Sequence, residues 1–245
     1  MHYLSLIYNE AFFRPIFNLL VYIIGHMPGG DLGLAIIILT VVIKLILLPL
    51  SKSSIKSQKS LQDLQPKVDE IKAKYKDKKE EMGRAMLDLY KEHKVNPFSS
   101  CLPLLVQFPF LIAIFQVFRA GITDSAMGML YSFVEKPEHI NNIFLGFLDL
   151  SKPNYVLAVL AGAAQFWQAK MMMTKRPAVK SPGAKDENFT AIMNKQMLYI
   201  MPIMTVVIGV TLPGGLALYW LTTTVLTALQ QVYIFKQKKK EENAA

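Results

Sequence analysis

One cysteine, two tryptophans and four histidines are spread over 245 residues, and that scarcity removes whole classes of chemistry. Cys101 alone excludes an intramolecular disulfide and a multi-cysteine metal centre. His2, His26, His93 and His139 are scattered without the spacing that metal ligands take. Paired carboxylates, a His-rich metal motif and a Ser/His or Ser/Lys pair are missing from the apolar segments, which argues against an intramembrane enzyme. No glycine-rich phosphate loop is present, so neither ATP nor any other cofactor is expected. Acidic residues are also few, 18 against 27 Lys and Arg, for a net charge of +9. The start, Met1-His2-Tyr3, has no basic region followed by an apolar core, so no cleavable signal peptide is expected.

Long apolar runs are what the chain does have. With 52% hydrophobic residues and a mean hydropathy of +0.30 it is too apolar for an ordinary soluble domain and reads as an all-α polytopic membrane protein. Runs of spanning length, about 17 to 25 residues, fall at 33–51, 99–119, 154–173, 196–212 and 215–235, which predicts five transmembrane helices. Residues 1–32 form an extracytoplasmic N-terminal segment. Its apolar stretch 15–27 is too short to span and carries Arg14, Asn18 and His26 at or near one face, so it reads as an interfacial amphipathic helix.

Lys and Arg fix the expected orientation, because cytoplasmic loops retain positive charge. Segment 52–98 holds twelve, 170–195 holds six and 236–245 holds four, whereas the other side holds only Arg14, Arg119, Lys136 and Lys152. That places the N-terminus outside, the loops 52–98 and 174–195 and the basic tail 236–245 in the cytoplasm, and the loop 120–153 outside. The positive charge is then mainly a topology signal, with solvated loops favoured over an RNA or lipid-surface contact. The acidic residues Asp124, Glu135, Glu138 and Asp149 on the outer side suggest no particular chemistry.

Within 52–98, Leu61, Leu64, Val68, Ile71 and Tyr75 follow steps of three and four, and Met82, Ala85, Met86, Leu89 and His93 repeat the pattern after a charged break. Two helices folded back as a cytoplasmic hairpin are expected, with Pro66 kinking the first or marking its start. Periodicity leaves open whether the hairpin is self-contained or a contact surface.

The most informative residue is Lys44, an ammonium inside the apolar run 33–50, where insertion costs roughly 2.5–3.5 kcal/mol. It lies about 10 Å along a helix from Ser51, so snorkelling is one way to solvate it. Polar faces on other segments favour a hydrophilic groove instead. In the last apolar segment Trp220, Thr223, Thr224, Thr227 and Gln231 share one helix face. Gln165 and Gln168 share a face of the third, and Thr40 lies one turn from Lys44. Gln107 and Gln116 lie on opposite sides of the second, so at most one can line the same groove. A small transporter or channel would also carry a charge at mid-membrane, but neither an internal repeat nor broken helices in corresponding halves are present. A structural assembly factor would need the hairpin and not the charge.

Several stretches, YNEAFF at 8–13 with Pro15 and Asn18, IKLILLPLS at 43–51, LQPKVDEIKAKY at 64–75, YKEHKVNPFSSCLPLLVQFP at 90–109 and LPGGLALYWLTTT at 212–224, together resemble the YidC/Oxa/Alb membrane protein insertases from about residue 8 to 235. The resemblance implies five helices around a groove closed to the outside and open to cytoplasm and lipid. It implies a bacterial cell membrane location, no enzymatic step, and nascent membrane proteins and the lipid bilayer as partners. Contacts with the Sec translocon and ribosome are left open, and no nucleic-acid sequence is expected to be read. Family members usually carry arginine where this chain has Lys44, which keeps the charge and loses the bidentate fork. The large periplasmic domain of Gram-negative members and the lipoprotein signal of many Gram-positive ones are not seen, so the chain reads as a minimal core.

Overall fold

A computed structural model describes residues 7–75, 78–96, 102–120, 128–137, 139–172 and 196–244. The expected loop 174–195, Cys101, Asp124 and Glu138 lie outside these residues. The helices are α1 (Arg14–His26), α2 (Leu32–Ile46), α3 (Leu48–Lys74), α4 (Lys79–Glu92), α5 (Leu102–Ala120), α6 (Tyr155–Met172), α7 (Met201–Gly209) and α8 (Gly214–Ala244). Wider π-helical turns, Asn9–Phe13 and Gln196–Ile200, lead into α1 and α7.

Helix α1 is more deeply packed than an amphipathic surface helix requires. Ile16, Phe17, Leu20, Val21, Ile23 and Ile24 are buried, leaving Tyr22, Gly25 and His26 exposed. The helix ends where Gly29 and Gly30 take positive φ (66° and 64°), a region open to glycine at little cost. Asp31 then caps α2, its carboxylate accepting from the Leu34 N–H at 2.9 Å.

The expected first span, 33–51, is not one straight helix. Helix α2 stops at Ile46, and α3 departs at 70° to it. Pro49 supplies the physical reason: it has no N–H to continue the α2 ladder, whereas the first turn of a new helix tolerates it. Among the described residues no single helix is both long and apolar enough to cross a membrane, and only the bent pair α2–α3 meets that measure together. Gln107–Val117 and Gln196–Gly209 are shorter apolar helical stretches.

Other boundaries also differ from the sequence reading. Helix α3 runs unbroken through Pro66, and α8 continues to Ala244, so the basic end at 236–244 is helical. Helices α3 and α4 fold onto each other around buried Leu64, Val68 and Leu89, with Lys67 Nζ 2.8 Å from His93 Nε2.

Helices α6, α7 and α8 make a second packed group, and α6 meets α7 through small residues. A methyl group on Gly209 would lie 2.9 Å from Ala158 Cβ, and one on Gly162 would collide with Val206 and the Pro202 carbonyl. Small residues let helix backbones approach where lipid offers little competing hydrophobic force.

One departure from the all-α expectation is a short antiparallel hairpin, β1 (Ile143–Phe144) and β2 (Leu148–Asp149). Leu145 and Gly146 form its turn with φ of 55° and 80°, and the Phe147 N–H donates to the Phe144 carbonyl at 3.3 Å. Positive φ at both central residues is the pattern of a type I′ turn. The alternation is too short to register in hydropathy, although Gly146 marks the reversal. Hydrogen bonds from Ser151, with Lys152 beside it, hold the Asp149 carboxyl down at about 2.

The segment around 129–131 is strapped to α1. Asn18, buried, donates to the Arg14 carbonyl at 2.8 Å and the Met129 carbonyl at 3.1 Å, and accepts from the Tyr131 N–H at 2.6 Å. Arg14 donates to the same Met129 carbonyl at 3.1 Å and lies over the Tyr131 ring. Removing this amide leaves the Tyr131 N–H without its partner, at a cost of about 1–3 kcal/mol. Asn18→Ala is therefore expected to lower the thermal unfolding midpoint in detergent by several degrees; an unchanged midpoint would show that the strap contributes nothing.

Candidate functional site

Lys44 occupies the last turn of α2. Its Nζ donates to Thr227 Oγ1 of α8 at 2.8 Å, and the Thr227 hydroxyl donates in turn to the Thr223 carbonyl at 2.7 Å. One hydroxyl thus serves two bonds: its proton goes back to its own helix, and its lone pair faces the ammonium. The lysine is half-buried, and among the described residues no carboxylate pairs with it. Its other two N–H bonds have no protein acceptor there. A half-buried cation answered by one neutral oxygen and by no carboxylate keeps donors to offer to further acceptors and anions.

The neighbouring polar residues fall into two groups. Thr40 is buried and turned onto its own helix, donating to the Ile36 carbonyl at 2.7 Å. Gln107 of α5 donates to the Tyr219 hydroxyl of α8, and Gln165 of α6 accepts from the Thr205 hydroxyl of α7. Gln107 and Gln165 thus tie helices together, and Thr40 is satisfied within its own helix. Trp220, Thr223 and Gln168 are half-buried, and Gln168 makes no side-chain hydrogen bond among the described residues. Thr224 and Gln231 are buried on the inward face of α8, and the Gln231 amide oxygen has no partner among those residues.

Gln116 of α5 is half-buried with no such partner either. The structure brings Lys44 to Thr227, while Gln165 is engaged with Thr205 of α7.

Sequence reasoning missed three participants. Tyr219, buried beside Trp220, is the acceptor for Gln107, and an aromatic in an apolar run gives no sign that its hydroxyl is engaged. Ser54 Oγ and Gln230 Oε1 are buried without partners among the described residues. Their signal was available in the continuation of the polar series past Thr227 and past the helix bend. At that level Lys59 lies 5.6 Å from the centre of the Phe235 ring, joining α3 to α8 beyond the bend.

The family profile described as "60Kd inner membrane protein" matches residues 23–242. The "Membrane protein insertase YidC" of Fusobacterium nucleatum is 39% identical over 208 residues, covering 85% of this chain and 88% of that protein. Its counterpart in Oceanobacillus iheyensis is 34% identical, with 94% and 84% covered. Against the protein of the same name from Geobacter sp. (strain M21) identity is 36%, but the match spans 93% of this chain and only 38% of that one. A crystal structure of an active YidC insertase, with its first transmembrane domain resolved, superposes with a TM-score of 0.58 at 27% identity, over 91% of this chain and 45% of that one. This chain belongs to the 60Kd inner membrane protein family, that of the YidC membrane protein insertases.

Proposed function

We propose that this chain inserts newly made membrane proteins, and helps them fold, through a hydrophilic groove centred on Lys44 and open to cytoplasm and lipid. The observation that carries this reading is the half-buried ammonium between α2 and α8, answered by one hydroxyl and by no carboxylate among the described residues. We assign it five membrane-spanning segments, an outer N-terminus and a cytoplasmic C-terminus; the skewed distribution of Lys and Arg supports that orientation.

The mechanism needs no chemical step. A polar substrate tail crosses because Lys44, Thr227, Gln168 and the inward face of α8 replace part of its lost hydration. Burying one charge at the bilayer centre costs roughly 2.5–3.5 kcal/mol, and every 1.4 kcal/mol or so removed from the barrier speeds crossing about tenfold. The apolar span of the substrate then leaves for lipid, favoured by about 0.8 kcal/mol per buried methylene. The helical hairpin α3–α4 receives the incoming chain from the cytoplasm, and the lysines at 236–240 at the end of α8 offer electrostatic contact to an anionic partner such as a ribosome.

Insertion of single-span substrates with acidic tails into proteoliposomes tests the charge. Lys44→Arg is expected to retain activity, and Lys44→Ala and Lys44→Glu to lose about tenfold or more; equal rates for all variants would remove the cation from the mechanism. Wetness of the groove is read by cysteines added to a Cys101→Ser background. A thiol at position 168 is expected to react with a polar reagent from the cytoplasmic side faster than one at 224, which is buried; protection at both positions would show a dry interior. Replacing residues 61–92 by a short Gly-Ser linker keeps Lys59 against the Phe235 ring of α8. The shortened protein is expected to fold and insert poorly, and undiminished insertion would reduce the hairpin to a passive loop.

A further inference from the structure

The β1–β2 hairpin turns the apolar side chains of its tip outward. Phe147 is 74% exposed and Leu145 63%, and Phe133, stacked on Tyr131, is 72% exposed. Leu145 also holds a φ of 55°, a conformation that asparagine or glycine adopts more readily. A leucine there is strained by its backbone and, largely exposed, gains little by packing on the protein.

The hairpin's inner side is fixed. Phe144 is buried over Gly33 of α2, in space that only a residue without Cβ leaves open. Its entry pairs with the start of α2 (Leu32 N–H to the Asn141 carbonyl, 3.0 Å), and its exit with the start of α8 (Gly214 N–H to the Lys152 carbonyl, 2.8 Å). These bonds set the hairpin at the level where α2 and α8 begin. With Phe144 turned inward, the residues of the tip project away from the core. Tyr155 and Val156 in the first turn of α6 are exposed as well.

We propose that the 143–149 hairpin is a membrane anchor whose tip, Leu145 and Phe147, dips into the outer leaflet. The proposal rests on the reading that α2 and α6–α8 are embedded in the bilayer. An outer boundary with aromatic residues at headgroup level is where amphipathic rings are most stable, and hydrocarbon gives the strained leucine the burial that the protein does not. The Asp149–Lys152 ion pair at 3.0 Å lies at the polar end of the same hairpin. The anchor would hold the outer ends of α2 and α8 in register with the lipid surface while a substrate moves between them.

Site-directed spin labelling of the full chain in phosphatidylcholine/phosphatidylglycerol liposomes tests this. Single cysteines at Phe147, Leu145, Glu135 and Val207, each in Cys101→Ser protein, carry the nitroxide. Collision with oxygen, which concentrates in lipid, is compared with collision with a water-soluble nickel chelate. The oxygen-to-nickel ratio at 147 and 145 is expected to exceed that at the exposed Glu135 severalfold and to approach that at Val207 on α7. A lipid-like ratio at 207 with a water-like ratio at both 145 and 147 would overturn the anchor alone. Protection of both tip positions from both reagents would overturn it too, in favour of a covering protein surface. A water-like ratio at 207 would overturn the embedded reading and the anchor with it.

Discussion

The bond from the Lys44 ammonium to the Thr227 hydroxyl is the constraint around which the rest of the molecule is arranged. A charge in an apolar run demands an acceptor, and α8 supplies one through an oxygen whose own proton already returns to the Thr223 carbonyl. The bond therefore joins α2 to α8 without neutralising the cation. Three residues further on, the chain bends by 70°, and beyond the bend α8 meets it again where Lys59 lies against the Phe235 ring. Helix α8 thus spans both sides of the break and ties the apolar half of the molecule to the base of the charged hairpin.

Polar side chains in this fold do two kinds of physical work. Gln107 and Gln165 are satisfied by Tyr219 and Thr205 and so hold helices together, while Thr40 is satisfied by the Ile36 carbonyl of its own helix. Gln231, Gln230 and Ser54 present buried oxygens with no protein donor among the described residues. An unsatisfied buried group costs about 1–3 kcal/mol, so these positions draw in a donor, whether water or a passing peptide N–H. That difference, and not the count of polar residues, separates positions that hold the fold from those fitted to the proposed groove.

The segments between the helices are held by local straps. Asn18 and Arg14 hold 129–131, Asp31 caps α2, and the 143–149 hairpin lodges Phe144 where Gly33 has no side chain. Each strap joins the loops between helices to a helix end, which fixes the helices relative to one another on that side. On the opposite side helices α3, α4 and the end of α8 carry thirteen of the 27 Lys and Arg, a division that suits the proposed path entered from the cytoplasm.

The sequence by itself determined the helical class, the family, the unusual position of Lys44 and the polar face at 220–231, because hydropathy, charge and 3.6-residue periodicity are local properties of the chain. It also carried the two apolar seams of the hairpin, since Leu64, Val68 and Leu89 sit at regular helical steps. Only the tertiary structure decided that Thr227 answers the lysine and that Gln107 and Gln165 are engaged elsewhere, because a helix face names its members and not their partners. The break at Leu47, the burial of Asn18 and the small β-hairpin were hidden for a related reason. Each depends on contacts between residues distant in sequence, or on a proline whose effect is set by the helix that forms after it.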